Sequence, residues 1–176
     1  MSILITILII VTGFIVVILL IALFIRKDHY VKREIIINAP LQKVFDYVKL
    51  LKNQDTFNKG AMAGEDRHKE FKGTDGTIGF IYAWAGDKNA GVGEKEIMNI
   101  VEGKKVEMQI RFVKPMRAVA DIVMETEAIS STQTKVYWSN GGKFPYPLNI
   151  MIPMMEKSVA KGMDESLTIL KGILEK

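Results

Sequence analysis

Residues Ile3 to Ile25 run for 23 positions without a charged side chain, interrupted only by Thr6 and Thr12, and Arg26, Lys27, Lys32 and Arg33 follow closely. At ~1.5 Å rise per residue, a helix of that length reaches ~34 Å, enough to cross a hydrocarbon core of ~30 Å with slight tilt. Lipid offers backbone amides no partner, so a single segment satisfies itself only as a helix, whatever its β-branched content. A cleavable signal peptide would need a basic n-region, a shorter apolar stretch and a small-x-small cleavage site. No basic residue precedes Ile3, and Leu23, Phe24 and Ile25 stand where small residues would be required. The sequence therefore predicts an uncleaved, single-pass membrane anchor. Four basic residues after the span, and only the terminal amine before it, predict that the rest of the chain faces the cytoplasm.

Two parts follow: an anchor with its basic flank over residues 1–29, and one domain over residues 30–176, a usual single-domain length. All 24 Lys and Arg and all 20 acidic residues lie beyond the apolar run, so the net charge of +4 belongs to that part. Such a mild bias suits a solvated surface and the topology signal. Nucleic acid is not an expected partner, because the basic residues are interleaved with Asp and Glu and no reading motif is present. The chain has no cysteine, which excludes disulfides and agrees with a cytoplasmic domain. The join between anchor and domain is short, Arg26 to Tyr30, and holds the domain close to the membrane surface.

Tyr30 to Ile37 reads as a first strand, ended by Asn38-Ala39-Pro40. Pro40 suits the first turn of a helix whose apolar face carries Val44, Phe45, Tyr47 and Val48, and a second short helical piece covers Leu50 to Phe57. From about Asp66 to Gly141 the period changes. Alternating runs are broken at Gly73-Thr74-Asp75-Gly76, Gly86-Asp87-Lys88-Asn89, Glu102-Gly103-Lys104, Lys114-Pro115 and Ser130-Ser131-Thr132, which predicts an antiparallel meander of about six strands. After Pro145 and Pro147, apolar residues recur at Leu148, Met151, Ile152, Met155, Val159, Met163, Leu167, Leu170 and Leu174. Steps of three or four mark a long amphipathic helix from about Pro153 to Glu175.

Alternation also sorts the strand faces. The expected inward sets are Ile78, Phe80, Tyr82 and Trp84; Val106, Met108, Ile110 and Phe112; Ala118, Ala120, Ile122 and Met124; and Val136 with Trp138. Asp121, Glu125 and Glu127, beside Val119 and Val123, belong to a wet face.

Strand, helix pair, meander and long helix, with Ile37-Asn38-Ala39-Pro40 before Val44-Phe45-Asp46-Tyr47, the Gly93-Glu94 to Ile97 segment, Thr134-Lys135-Val136-Tyr137-Trp138 and a terminal Leu170-Lys171, resemble the SRPBCC superfamily. This is the START and birch-pollen-allergen-like helix-grip group, and within it the chain resembles the polyketide cyclase/dehydrase-like proteins. The resemblance covers Tyr30 to Lys176 and implies an α+β helix-grip fold. In that fold a curved antiparallel sheet of about seven strands wraps the long C-terminal helix and leaves a cavity between them. Many relatives carry a Trp after the second helix where this chain has Phe57, which keeps an aromatic plug in the core.

Chemistry is sparse. His29 and His68 have no ligand-like neighbours at metal spacing, so neither a metal nor another cofactor is expected. No catalytic residue is assigned, since there is no cysteine, no Ser-His-Asp arrangement and no nucleophile elbow. The glycines of Gly91-Val92-Gly93 and Gly141-Gly142 read as strand bends. Glu94 and Glu96 point into the cavity if even-numbered residues of their strand do, with Val92, Met98 and Ile100; the preferred reading leaves both solvated near the sheet edge or a cavity mouth, since charged residues are rarely buried without a partner.

The cavity that the resemblance implies would be lined by Phe80, Tyr82, Trp84, Met108, Ile110, Phe112, Met124, Trp138, Met151 and Met155, with Tyr82 as its polar contact. Methionines give such a lining adaptability. A portal is expected at Phe144-Pro145-Tyr146-Pro147. The expected function is membrane-anchored binding of a hydrophobic small molecule or lipid. Two rivals stand beside it: a polyketide cyclase-like enzyme using Tyr82 or Glu94, and a membrane-tethered interaction module with a filled core.

Overall fold

The computed structural model describes residues 3–62, 68–86 and 91–176, without the side chains of residues 61 and 62. The expected start of the meander at Asp66 and the turn at Asp87-Lys88-Asn89 lie outside those residues. The apolar run forms helix α1 (Ile3–Phe24), long and apolar enough to cross a membrane, and buried against the protein along little of its length. Strand β1 (Asp28–Ile37) begins two residues earlier than the alternation suggests, so the join shrinks to Ile25, Arg26 and Lys27.

Pro40 caps helix α2 (Leu41–Val48) rather than entering its first turn: its ψ of 145° is extended, and its carbonyl accepts the amide of Val44. A 3-10 turn (Leu51–Asn53) and two one-turn helices, α3 (Gln54–Phe57) and α4 (Lys59–Met62), follow. The meander comprises β2 (His68–Lys72), β3 (Ile81–Ala85), β4 (Val92–Val101), β5 (Lys105–Lys114), β6 (Ala118–Ser130) and β7 (Gln133–Lys143). A second 3-10 turn (Leu148–Met151) leads into α5 (Ile152–Leu174), with Pro153 in its first turn where a missing N–H costs nothing.

All seven strands join one antiparallel sheet in the order β1-β7-β6-β5-β4-β3-β2, and α5 packs across its concave face. The long helix runs alongside β1. Near its start Glu156 accepts the Tyr30 amide, and just past its end Glu175 accepts the Asn38 amide. Val31 and Ile37 of β1, Val136 and Trp138 of β7, and Met163, Leu167, Leu170 and Leu174 of α5 are buried in one core with Phe45 and Phe57.

Pleating alone would put β4's even positions on one face throughout. A bulge at Ile97/Asn99 breaks that register, leaving Met98 exposed as the extra residue. Ile97 faces Met108 and Ile100 faces Val106, so odd positions point inward before the bulge and even ones after it. Ile78 also departs from expectation: it sits in the turn before β3 and is exposed.

The end of α1 is tied directly to the domain. Asn149, fully buried, donates its amide to the carbonyls of Ala22 and Ile25, which the end of a helix leaves unsatisfied. Arg26 pairs with Glu156, and the Phe144 amide bonds the Lys27 carbonyl.

His29 sits in the same corner, buried against the Phe144 ring at 5.7 Å, with Nδ1 lacking a partner among the described residues. A Cβ at Gly142 would approach His29 Nε2 to 2.7 Å, so the imidazole occupies the space a side chain would need. Burial pushes the His29 pKa below its ordinary 6.5, with Glu156 opposing and Arg26 assisting. A lowered imidazole pKa means the unfolded chain binds the proton more readily, so this stability is present above about pH 6.5 and is lost as pH falls through the folded-state value. The Glu107 carboxyl, held below 4.5 chiefly by Lys105 and then Asn99, acts in a more acidic window. The melting temperature of the full chain is therefore expected to drop between pH 7.5 and 5.5, and His29→Gln to flatten that slope. An unchanged slope in the variant would assign the effect elsewhere.

Candidate functional site

Between the sheet and the middle of α5 lies a cavity of about 590 Å³. Its position follows from residue size along the sheet's inner face. One row across the strands reads Trp84, Gly93, Phe112 and Ala118, and the next reads Tyr82, Lys95, Ile110, Ala120, Gly142 and His29. Small residues alternate with large ones there and leave room. Deeper rows carry Ile97, Met108 and Ile122, then Val106, Met124 and Trp138, and close the core. Gly93 is required by this arrangement: a Cβ would lie 2.7 Å from the Trp84 ring and 2.8 Å from the Arg111 carbonyl. On the helix side, Gly162 leaves open space, with nothing within 4 Å of where its Cβ would stand.

Five of the ten residues expected to line the cavity do so: Tyr82, Trp84, Ile110, Phe112 and Trp138. Phe80, Met108 and Met124 also face inward but are packed solid in the core beneath it. Met151 ends the 3-10 turn and Met155 lies on the first turn of α5, both beyond the cavity; Met151 is exposed, and Met163 supplies the methionine of the wall instead. Exposed lining residues mark the mouth: Lys59 and Gly60, Phe112, Lys114 and Pro115, and Ser158. The Phe144–Pro147 stretch, expected as a portal, is not part of this wall and instead packs at the root of α1.

The polar groups follow the register of β4, and the two glutamates take the solvated placement preferred for them. Because the bulge reverses parity, Glu94 and Glu96 lie on the outer face, both paired with Arg111. Lys95 points inward in their place, 8% exposed, and donates to Gln54, whose own amide approaches the Met108 sulfur at 3.2 Å. Tyr82 donates its hydroxyl to Asp55 at 2.8 Å, and Lys69 holds the same carboxylate at 2.8 Å. Trp138 lines the cavity with its indole N–H buried and without a partner among the described residues. The cavity is thus an aromatic chamber with a cation in its wall. Lys95, Gln54 and Asp55 were missed by sequence reasoning. The doublet Glu94/Glu96 flanking a lone Lys95 was the available signal, since two acids two residues apart belong together on the wet side of a strand.

No group of three or more His, Cys, Asp and Glu residues suited to a metal occurs among the described residues. No family model and no curated protein matches the sequence. Solved structures do. Truncated norcoclaurine synthase from Thalictrum flavum superposes with a TM-score of 0.64 at 14% identity, over 85% of this chain and 95% of that one. Ara h 8.0201 gives 0.59 at 15%, over 84% and 97%. A hypothetical protein from Helicobacter pylori gives 0.63 at 10%, over 84% and 89%. The shared architecture is a curved seven-stranded antiparallel sheet closed by a long C-terminal helix, and this chain has the helix-grip fold.

Proposed function

We propose that this protein is anchored by α1 in a membrane, with residues 30–176 forming a domain on the cytoplasmic side, and that the domain binds a hydrophobic small molecule or lipid between the sheet and α5. The observation that carries this reading is the cavity itself, whose volume of about 590 Å³ lies within the ~300–1,000 Å³ usual for ligand pockets. An alkyl chain burying about ten methylenes gains ~8 kcal/mol at ~0.8 kcal/mol each, enough for micromolar binding before ordering costs. Norcoclaurine synthase, of the same fold, has been determined in complex with dopamine and hydroxybenzaldehyde, two small aromatic molecules. A filled-core interaction module is at odds with so large an opening. The cyclase reading loses Glu94, which faces outward.

Lys95 gives the chamber a cationic donor suited to an amphiphile whose head accepts hydrogen bonds or carries negative charge. A dansyl-labelled fatty acid titrated into the full chain in detergent micelles tests this, read by energy transfer from Trp84 and Trp138. Saturable transfer is expected, with binding weakened about tenfold in Lys95→Met through loss of a charge-assisted contact. No saturable transfer at any concentration would overturn the reading. Equal affinity of the Lys95→Met variant would remove the assigned head-group contact alone.

A further inference from the structure

The register of the sheet places the cavity mouth at the same end as α1. Asp28, which follows the anchor almost at once, pairs with Lys143; Gly142 pairs with Ala120, Phe112 with Ala118, and Val92 with both Lys114 and Ala85. All these strand ends form one rim, and Lys114 and Pro115 on it border the mouth. The helix leads to the same place. From its start beside α1, where Asn149 grips the Ala22 and Ile25 carbonyls, exposed residues Met151, Met154 and Ser158 succeed one another at spacings of three and four, and Ser158 borders the mouth.

That rim is apolar and cationic together. Met154 is 69% exposed and Met151 43%, while Val113 and Met116 project beside the Lys114–Arg117 turn. Lys27, Lys114, Arg117 and Lys143 are exposed around them. The turn Lys114-Pro115-Met116-Arg117 holds two cations and no acid. Apolar side chains ringed by Lys and Arg suit the interface of a bilayer with anionic headgroups.

We propose that this end of the domain is a membrane-contacting surface, seating the cavity mouth in the headgroup layer of an anionic bilayer so that ligand passes between bilayer and cavity without crossing water. The occupant of the surface is the lipid bilayer itself, continuous with the one α1 enters, so the inference rests on the anchored, ligand-binding reading above. Asn149 and the Arg26–Glu156 pair make the placement rigid: the three-residue join and these contacts leave the domain little freedom to swing away from the surface.

Because the chain has no cysteine, single labels can be placed without background. Met116→Cys and Met154→Cys on the rim, and Thr132→Cys in the β6–β7 turn at the opposite end, each carry an NBD fluorophore. The full chain is reconstituted in vesicles of phosphatidylcholine and phosphatidylglycerol containing a lipid with a doxyl quencher near its headgroup. Labels at positions 116 and 154 are expected to lose most of their emission, and the label at 132 to keep it. Equal quenching at all three positions, or none on the rim, would overturn the inference. In the same vesicles, Lys114→Glu/Arg117→Glu is expected to slow loading of a dansyl fatty acid by about tenfold. An unchanged rate with the rim unquenched would leave ligand binding intact and exclude bilayer contact, whereas a quenched rim without any loading would exclude the ligand reading and leave the contact standing.

Discussion

Gly162→Phe is expected to leave the domain folded, at least as stable as the parent, and unable to take up ligand. Gly162 lies mid-helix in α5 and borders the cavity, and a side chain growing from it meets no atom within 4 Å of its Cβ. Glycine inside a helix costs ~1 kcal/mol relative to alanine, and phenylalanine recovers part of that. Its ring also buries apolar surface against the chamber walls. A ligand that forfeits space for even two methylenes loses ~1.6 kcal/mol, more than tenfold in affinity. Gain of stability with loss of uptake separates a binding cavity from a packing defect, because filling a defect would raise the melting temperature and change nothing else. Thermal unfolding and dansyl fatty acid titration of the variant and parent read both quantities.

Phe57→Ala, by contrast, is expected to cost the fold ~3–5 kcal/mol, the range for deleting a buried aromatic from a close-packed core. Phe57 is fully buried and meets Trp138 edge-on at 6.2 Å and Tyr47 at 6.3 Å. It joins α3 to the inner face of β7, so its loss loosens the floor on which Leu51 and Gln54 present themselves to the cavity. For a domain of this size the melting temperature should fall by roughly 10 °C. Phe57→Trp, which keeps an aromatic plug at the position, should cost far less. A Phe57→Ala protein melting within a degree or two of the parent would show that this plug is not part of the core.

The same physics explains which features the sequence disclosed. Long-range periodicity survives local detail: the spacing from Ile152 to Leu174 is a helical stripe whatever it packs against, and the turns at Glu102-Gly103-Lys104 and Ser130-Ser131-Thr132 delimit strands of the right number. The preferred solvated placement of Glu94 and Glu96 agrees with the structure, but the inward face of β4 was not legible along its whole length, because a bulge at Ile97/Asn99 reverses the parity and has no glycine to announce it. Lys95, the inward-facing member of that stretch, went unassigned for the same reason. Met151 and Met155 belong to the helical stripe in sequence. The helix begins beside the root of α1, however, and its first turns lie off the chamber, so the stripe's early members face away from it. Shared periodicity shows that residues occupy one face of a helix; only the position of the helix over the sheet decides which of them border empty space.

The rigid root of α1 was likewise invisible in the sequence. Asn149 reads as an ordinary polar residue after two prolines, yet its buried amide closes the end of a helix more than 120 residues earlier, with |i−j| of 127 to Ala22 and 124 to Ile25. Pairings at such separation depend on the finished topology, and local propensity contains no trace of them.

Whether the chamber is occupied is the central question, and native mass spectrometry of the full chain released from membranes in gentle detergent answers it most directly. The parent protein should carry an additional apolar mass of lipid or small-molecule size, released on unfolding, while Gly162→Phe purified in parallel should appear at its bare polypeptide mass. A parent that appears only at its polypeptide mass even after incubation with the membrane lipid extract, or a variant carrying the same adduct as the parent, would contradict ligand binding in this cavity.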